Sequence, residues 1–454
     1  MKKGLFIIAL MLLFAGSAYA QATFSMTGSY WAEGKYWFNY NDTPGTDATY
    51  SEKSFGFYEQ DINLYPKITM DNTSLNFKIA ITDVNWGAYG SDTDEGIPQT
   101  NDSATSDDDD MQIERAYLTH KFSDNLTLDV GLQDGTVFGT KFGDDLQAQW
   151  RIRLIGMTSV GAFGAVLEKD YDSGVYDTDL EGEDYDSYGL FWVGKASDVY
   201  IKFLLWYADV DNLLNDPLIY GPLSAFGGSN TTMTVFNPVL ALNGDLEAVS
   251  FESEINYKMY NVEVSALDVD EDFSTLGIYL NVWKALDAMT PGIVLAYGSY
   301  DTALGDAAYD AAAAGNTYGA AVLGALAGKA AFDFEDDFDS TIILGDEYGW
   351  GGGDDLAGAS LIKIYVDDIA TGMDLLSLNF YAAYVMSNQE KTDIGVNDYE
   401  DATAWEAALG ADYKITDNLK YSVYGAYADI SYDVTGIDDP DSVYVLANAI
   451  KFSF

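Results

Sequence analysis

The sequence contains three arginines, Arg115, Arg151 and Arg153, and each lies in a segment where polar and apolar residues alternate. Alternation with period two is typical of β-strands, whose successive side chains point to opposite faces. The arginines share the polar face, opposite the apolar residues Ala116, Leu118, Trp150, Ile152 and Leu154. Guanidinium groups bind anions through a fork of donors. Three of them on one polar surface predict a site that filters or orients polar solutes.

Other polar residues share this face, namely Lys121, Asp129 and Gln133. One interpretation is that the strands enclose a narrow water-filled lumen. The basic cluster would then face acidic residues across it and set a transverse electric field. The other is that the arginines only balance buried carboxylates such as Glu114 or Asp129. The sequence favours neither, and we treat these residues as candidate pore-lining or constriction residues.

The residue types needed for catalysis are scarce. The single histidine, His120, shares a face with Leu118 and Phe122, and there is no cysteine. A serine or cysteine nucleophile needs an accessible imidazole, and no G-x-S-x-G elbow or Walker sequence occurs. We therefore expect His120 in an aromatic girdle, no enzyme activity and no bound cofactor.

The first twenty residues have the features of a secretory signal peptide. Lys2 and Lys3 precede an apolar run at residues 5–14, and small residues lead to Ala20. That run is shorter than the ~20 residues that a membrane-spanning helix needs. We expect cleavage after Ala20, so that the mature chain begins at Gln21.

Beyond residue 20 no stretch approaches the ~18 consecutive apolar residues of a spanning helix. An exported chain can also span a membrane as a closed β-barrel, because each backbone donor and acceptor then finds a partner on a neighbouring strand. The 34 Tyr, 23 Phe and 9 Trp suit the aromatic girdles of such a barrel. We expect an all-β fold, a single transmembrane up-and-down antiparallel barrel over residues 21–454.

Short turns and long connections alternate along the chain. The pattern predicts turns near residues 71, 124, 158, 197, 259, 288, 370 and 417. Long acidic connections such as 91–110 and 168–187 separate them. With an opening strand near 23–40 and a closing strand to Phe454, the number of strands is about 18, with 16 as the runner-up. Short turns belong on the periplasmic side and long loops outside.

The last strand carries Phe454, Phe452 and Ile450 on one face, with Asn448 as an interruption. A terminal aromatic residue on an alternating strand resembles the sorting signal that outer-membrane barrels present to their assembly machinery. We expect Phe454, Phe452 and Ile450 to form this assembly signal.

Two segments resemble the Gram-negative outer-membrane porin superfamily, in particular barrels of 16 to 18 strands. They are IERAYLTHKFSDNLTLDVGLQDGTVFG at 113–139 and SVYVLANAIKFSF at the end of the chain. The resemblance extends over the mature chain only as architecture. It implies a homotrimer in the cell outer membrane, a constriction loop folded into the pore, and passive diffusion of small hydrophilic solutes. An alternative is a barrel scaffold or sheath for a partner such as an electron-carrying cytochrome.

The chain is strongly acidic. Without Lys2 and Lys3 it has 20 basic and 73 acidic residues, a net charge of −53. Acidic runs such as 107–110, 335–337 and 354–355 fall in predicted outer loops. A solvated surface with loosely bound divalent cations accounts for them, and a negative mouth would also concentrate cations. We expect a channel that favours cations.

Two further segments have features of a site. Residues 302–331 are rich in Ala and Gly and do not alternate, so they form either a pore constriction or an irregular outer loop. Asp268, Asp270 and Asp272 have the spacing of a calcium loop, but Phe273 and Tyr279 stand where an EF-hand needs Gly and Glu. We do not expect a calcium site there.

Overall fold

The structure is a computed structural model of the chain, and it describes the walls of a barrel together with parts of two loops. The described residues are 22–40, 53–81, 111–135, 138–143, 148–172, 184–211, 231–264, 269–300, 331–332, 334, 338, 340–345, 358–388, 402–431 and 442–454. The predicted signal peptide lies outside them.

All strands of the described residues belong to one 18-stranded sheet, which confirms the larger of the two expected strand numbers. The strands are β1 Thr23–Tyr40, β2 Lys53–Met70, β3 Thr73–Ile81, β4 Met111–Ser123, β5 Leu126–Asp134, β6 Ala148–Thr158, β7 Gly161–Asp172, β8 Asp184–Ala196, β9 Val199–Asp211, β10 Thr231–Asp245, β11 Ser250–Val264, β12 Val269–Trp283, β13 Thr290–Gly298, β14 Ala359–Ala370, β15 Leu376–Ser387, β16 Thr403–Thr416, β17 Leu419–Ser431 and β18 Val443–Ser453. A short 3-10 turn, Lys141–Gly143, lies between β5 and β6.

The sheet closes on itself. Each strand pairs antiparallel with the strands before and after it in the chain. In addition, β1 pairs with β18, from Ser29 opposite Ser453 to Phe38 opposite Tyr444. Beyond that ladder, the Gly28 N–H donates to the Phe454 carbonyl (2.9 Å), and the Phe454 N–H donates to the Gly28 carbonyl (3.0 Å). The fold is therefore the closed up-and-down barrel that the alternating pattern predicts.

The two faces of the wall differ as lipid and lumen require. Trp150 and Leu190 are each 61% exposed on the outer face, and Leu409 is 59% exposed. Large apolar side chains tolerate such exposure where lipid surrounds them. The inner face carries the charged and amide groups, including fully buried carboxylates on β7, β11 and β16. In the described part of the chain, no helix is both long enough and apolar enough to cross a membrane.

The short turns all lie at one end of the barrel, at 71–72, 124–125, 159–160, 197–198, 246–249, 284–289, 371–375 and 417–418. Residues with a left-handed backbone occupy three of them, Asp71 (φ 50°), Ser197 (φ 57°) and Gly372 (φ 82°). In the last turn, a hydrogen bond from Lys414 (2.8 Å) lowers the pKa of Asp417.

The predicted turn near 259 is wrong. Met259 lies inside β11, and the chain turns instead at 246–249. Glu254 and Asn256, which make this stretch look like a connection in sequence, are buried on the inner face. A water-facing wall accepts polar residues within a strand, so polarity did not mark a turn here.

The acidic connection expected at 168–187 is also shorter than predicted. β7 continues to Asp172 and β8 begins at Asp184. Two acidic residues of these strands have basic partners, because Glu168 pairs with Arg151 (3.1 Å) and Asp186 pairs with Lys169 (3.0 Å). The connection at 91–110 lies outside the described residues.

Candidate functional site: the lumen wall and the loops inside it

Consecutive strands bring the three arginines together on the inner wall. Arg115 lies on β4, and Arg151 and Arg153 lie on β6, with β5 between them. Asp129 of β5 stands opposite Thr119 of β4 and opposite Arg153 of β6. All three arginines therefore lie on the face that alternation in the sequence predicts.

Each arginine has a carboxylate partner on a neighbouring strand. Arg153 donates to Asp129 from both Nε (3.2 Å) and Nη2 (2.9 Å), and the Thr119 hydroxyl donates to the other oxygen of Asp129 (2.6 Å). Arg115 pairs with Asp134 through Nε. These partners belong to the same wall, so each arginine has a carboxylate beside it on a neighbouring strand.

Arg151 is the most enclosed of the three. Its Nη2 lies 3.1 Å from Glu168 Oε2, and its side chain is 6% exposed while that of Glu168 is 1% exposed. Nη1 also donates to the carbonyl of Asp134. By contrast, the side chains of Arg115 and Arg153 are 28% and 34% exposed. These two are therefore the arginines that water and solutes can reach.

The remaining candidates divide between this network and the turn end. Gln133 is buried, and its amide donates to the carbonyl of Arg151 (3.2 Å). Lys121 points to the lumen but is exposed near the end of β4, about 20 Å along the strand from Arg115 at ~3.3 Å per residue. Glu114, which the sequence offered as a partner of the arginines, instead pairs with Lys78.

Two loop segments lie inside the barrel and narrow it. One is 138–143, between β5 and β6, and the other comprises the described parts of 331–345, between β13 and β14. The side chains of Phe142, Ile343 and Leu344 are fully buried. They pack in one apolar cluster with inward-facing residues of β1 and of β12 to β18. The lumen is therefore filled on that side, while the arginine wall on β4 to β6 keeps exposed charge.

The two segments meet at Phe142. Its ring lies 5.2 Å from that of Phe332, 5.1 Å from that of Phe334 and 5.3 Å from that of Phe338. It also stacks on Tyr279 of β12, at 5.5 Å. An aromatic contact thus joins the loop after β5 to the loop after β13 within the lumen.

These segments, and the wall residues Glu254 and Glu406 that bind them, were not predicted from the sequence. A usable signal was present in the small residues that face the lumen on β16 to β18. They are Ala404, Ala408, Ala426, Ala428, Ala447 and Ala449, all buried. Small residues at successive inward positions of neighbouring strands leave space in the lumen, and a loop segment can pack there against the wall. Of the segment 302–331 only Ala331 is described, in a β-bridge with Tyr300.

The other candidate residues from the sequence lie away from this site. His120 is on the outer face next to Phe122, with ring centroids 4.7 Å apart, and its Nδ1 lies 2.9 Å from the Thr73 hydroxyl. Asp270 and Asp272 belong to strand β12 rather than to a loop. In the described ranges, no group of three or more His, Cys, Asp or Glu residues is arranged to hold a metal ion.

The end of the chain forms the closing strand. Phe452 stands opposite Tyr30 of β1, and Ile450 opposite Ala32. The rings of Phe452 and Phe454 stack on the outer face, 5.6 Å apart. The three residues expected as an assembly signal therefore lie at the junction between the first and last strands.

No protein-family model matches this chain, and no curated protein matches it in sequence. Solved structures do resemble it. A BenF-like porin from Pseudomonas fluorescens Pf-5 superposes with a TM-score of 0.51 at 11% identity, over 95% of this chain and 98% of that one. OccK9 (OpdG) of Pseudomonas aeruginosa gives a TM-score of 0.52 at 12% identity with the same coverage.

OpdK of Pseudomonas aeruginosa, solved with vanillate, gives a TM-score of 0.50 at 10% identity, over 95% of this chain and 98% of that one. At such identities the likeness concerns the fold. The closed 18-stranded barrel of this chain is therefore similar in fold to these solved structures.

Proposed function

We propose that this protein is a porin of the Gram-negative outer membrane, a passive channel for small hydrophilic solutes or ions with a preference for cations. The observation that carries this proposal is the inner wall. Its charged groups line a closed barrel, and Arg115 and Arg153 keep roughly a third of their side-chain surface exposed. A wall of paired charges is suited to hydrated solutes rather than to apolar ones.

The arrangement fits transport better than catalysis. The described lumen offers ion pairs and two inserted loop segments, and the single histidine of the chain points outward. A barrel of this fold, OpdK, was solved with vanillate, which supports a channel for small solutes here. Cation preference rests on the net charge, because a negative mouth concentrates cations.

We further propose that the protein forms homotrimers, that the barrel assembly machinery inserts it, and that divalent cations bind loosely to its acidic outer loops. The outer-face aromatics of β18 support the second point. Chemical cross-linking of the purified barrel tests the first, and a single-protomer band alone would contradict it.

The channel is tested in a planar bilayer. The refolded protein should give a large and steady conductance, with a reversal potential under a salt gradient that favours cations. The double variant Arg115→Gln/Arg153→Gln should shift the reversal potential further toward cations, because two exposed positive charges leave the lumen.

The matched control is Lys284→Gln. Lys284 is the first residue of the turn after β12, where its ammonium donates to the carbonyls of Glu247 (3.2 Å) and Ala248 (2.6 Å). This variant removes one positive charge where the double variant removes two, and at this end of the barrel its loss should leave selectivity unaltered. No conductance from a demonstrably folded barrel would reject the channel and favour a scaffold or sheath that a partner fills.

A further inference from the structure

Glu406 lies on the inner face of β16 and has no exposed surface. Its carboxylate accepts hydrogen bonds from three consecutive backbone amides of the inserted loop. The Ile342 N–H donates to Oε1 (2.9 Å), the Leu344 N–H donates to Oε2 (2.8 Å), and the Ile343 N–H lies within 3.2 Å of both oxygens. The Tyr381 hydroxyl donates to Oε1 as well.

This arrangement requires a carboxylate. Consecutive amides that converge on one point form a concave donor site that is suited to an anion, and a hydrogen bond to an ionised acceptor is about twice as strong as one between neutral groups. A glutamine of the same size would turn an NH2 group toward one or more of these N–H donors. Glu406 therefore holds the loop through its charge. A neutral side chain of the same volume would not hold the loop in the same way.

Two other hydrogen bonds of the same short segment involve a lysine of the wall and a side chain of the segment itself. Lys363 of β14 donates to the carbonyl of Ser340 (2.6 Å), and the Gly345 N–H donates to the Thr341 hydroxyl (2.7 Å). Both contacts shape the turn at 340–345 that presents its amides to Glu406. Among the described wall residues bonded to this turn, Glu406 contributes the most hydrogen bonds.

A second carboxylate has the corresponding role on β11. Glu254, 1% exposed, accepts from the backbone N–H of Thr140 (2.6 Å) and from its hydroxyl (2.9 Å). Lys202 of β9 donates to the carbonyl of Gly139. The loop that leaves the wall between β5 and β6 is thus bound several strands further round the barrel, where Phe142 meets the other loop.

We propose that Glu406 and Glu254 are positioning residues of the constriction. Their buried carboxylates hold the two loop segments in the lumen and so determine the narrowest width of the pore. The proposal rests on the proposed function in that it assigns a role within the same lumen, and it identifies which wall groups keep the pore narrow.

The experiment uses the absence of cysteine from the chain. Ile343→Cys introduces a single thiol at a position that has no exposed surface in the folded protein and whose side chain makes none of the hydrogen bonds of the turn. The refolded barrel is treated with a membrane-impermeant maleimide, and the rate of labelling is measured with and without Glu406→Gln. We expect labelling to be at least about tenfold faster with Glu406→Gln, equivalent to ~1.4 kcal/mol of lost loop attachment.

The matched control is Asp412→Asn on the same face of the same strand. Asp412 accepts hydrogen bonds from Ser422 and from Asn379 (3.0 Å), both of which belong to the wall. Its replacement should leave the labelling rate of the introduced thiol unchanged. Tyr381→Phe removes one hydroxyl and no charge, so it should increase the labelling rate by a smaller factor. This variant replaces Glu406→Gln in the experiment if Glu406→Gln does not fold.

Bilayer recordings give the second readout. Glu406→Gln and Glu254→Gln should each raise single-channel conductance, on the order of twofold, because conductance depends on the narrowest section of a pore. Unchanged labelling and unchanged conductance in folded Glu406→Gln would overturn the proposal while leaving the channel intact. A wild-type barrel that does not conduct would reject the proposed function, and the labelling rates would still decide whether Glu406 holds the loop.

Discussion

Arg151 and Glu168 are the charged pair with the least access to water among the arginine contacts. A buried pair contributes little compared with a well-packed apolar pair, but removing one partner leaves an uncompensated charge. The neighbouring pair of Lys169 and Asp186 differs in that both side chains are about one third exposed, at 35% and 34%. Water can solvate either partner when the other is removed.

Arg151→Met should therefore lower the free energy of unfolding by about 3–5 kcal/mol, whereas Lys169→Met should lower it by about 1 kcal/mol or less. Urea titration of the barrel refolded into lipid vesicles measures both. The double variant Arg151→Met/Glu168→Met should recover most of the loss. Equal stability of the two single variants would show that the other contacts of Glu168 suffice without Arg151.

For single residues, the face of the strand on which a side chain lies could be predicted from the sequence, but its ion-pair partner could not. Alternation placed Arg115, Arg151 and Arg153 on the inner face, because a strand allows only two orientations. It did not identify Glu168 as the partner of Arg151, since that pairing depends on the register between β6 and β7 and Glu168 had been assigned to a connection. Register is a property of two strands together, and it is not readable from either one.

At the scale of the elements, β18 completes the barrel through contacts that the last residue of the chain extends. Phe454 contributes two backbone hydrogen bonds with Gly28 and an aromatic ring on the outer face. These contributions can be separated. Phe454→Ala retains the backbone bonds and removes the ring, while deletion of Phe454 removes both.

We expect deletion of Phe454 to slow folding into lipid vesicles, where no assembly machinery is present, and Phe454→Ala to have a much smaller effect there. In cells both variants should reduce the amount of folded barrel, if the machinery recognises the ring. Heat-dependent mobility on gels, which separates folded from unfolded barrels, gives the measurement. Normal assembly of both variants in cells would contradict an assembly signal at this residue.

Most elements follow from the sequence, and the exception is instructive. Alternation and turn residues located the strands and seven of the eight turns close to their observed positions, but the turn near 259 was wrong. In β11, Glu254 and Asn256 look like loop residues because they are polar, although polarity is normal on the inner face of a barrel. The position of the inserted segment near Glu406 was also not predicted, because an irregular loop that folds inward has no periodic sequence pattern.

At the scale of the molecule, the dominant property is the net charge of −53 in the chain without Lys2 and Lys3. Many of these charges lie in predicted outer connections, and the described ion pairs of the lumen do not neutralise them. Charge at the mouth acts on ions at a distance, so dissolved salt should screen it. Paired charges inside the pore act on ions at contact distance, so their effect should depend less on salt concentration.

The proposed cation preference should therefore weaken as salt concentration rises. The screening length falls from about 10 Å at 0.1 M to about 3 Å at 1 M, so the ratio of cation to anion permeability should drop between these concentrations. Reversal potentials at a fixed salt ratio and two absolute concentrations measure it. A ratio independent of salt would assign selectivity to the constriction instead of the mouth.

The pairing of β1 with β18 has a consequence for how the chain folds. Every other pairing joins strands that are consecutive in sequence, but Ser29 meets Ser453 across almost the whole chain. Contacts of such sequence separation form late, because the entropy of closing the loop must be overcome first. Until that happens, the sheet has two open edges whose backbone groups lipid cannot satisfy. Membrane insertion and barrel closure should therefore occur as one cooperative event, in which one edge of β1 stays unpaired until β18 has formed.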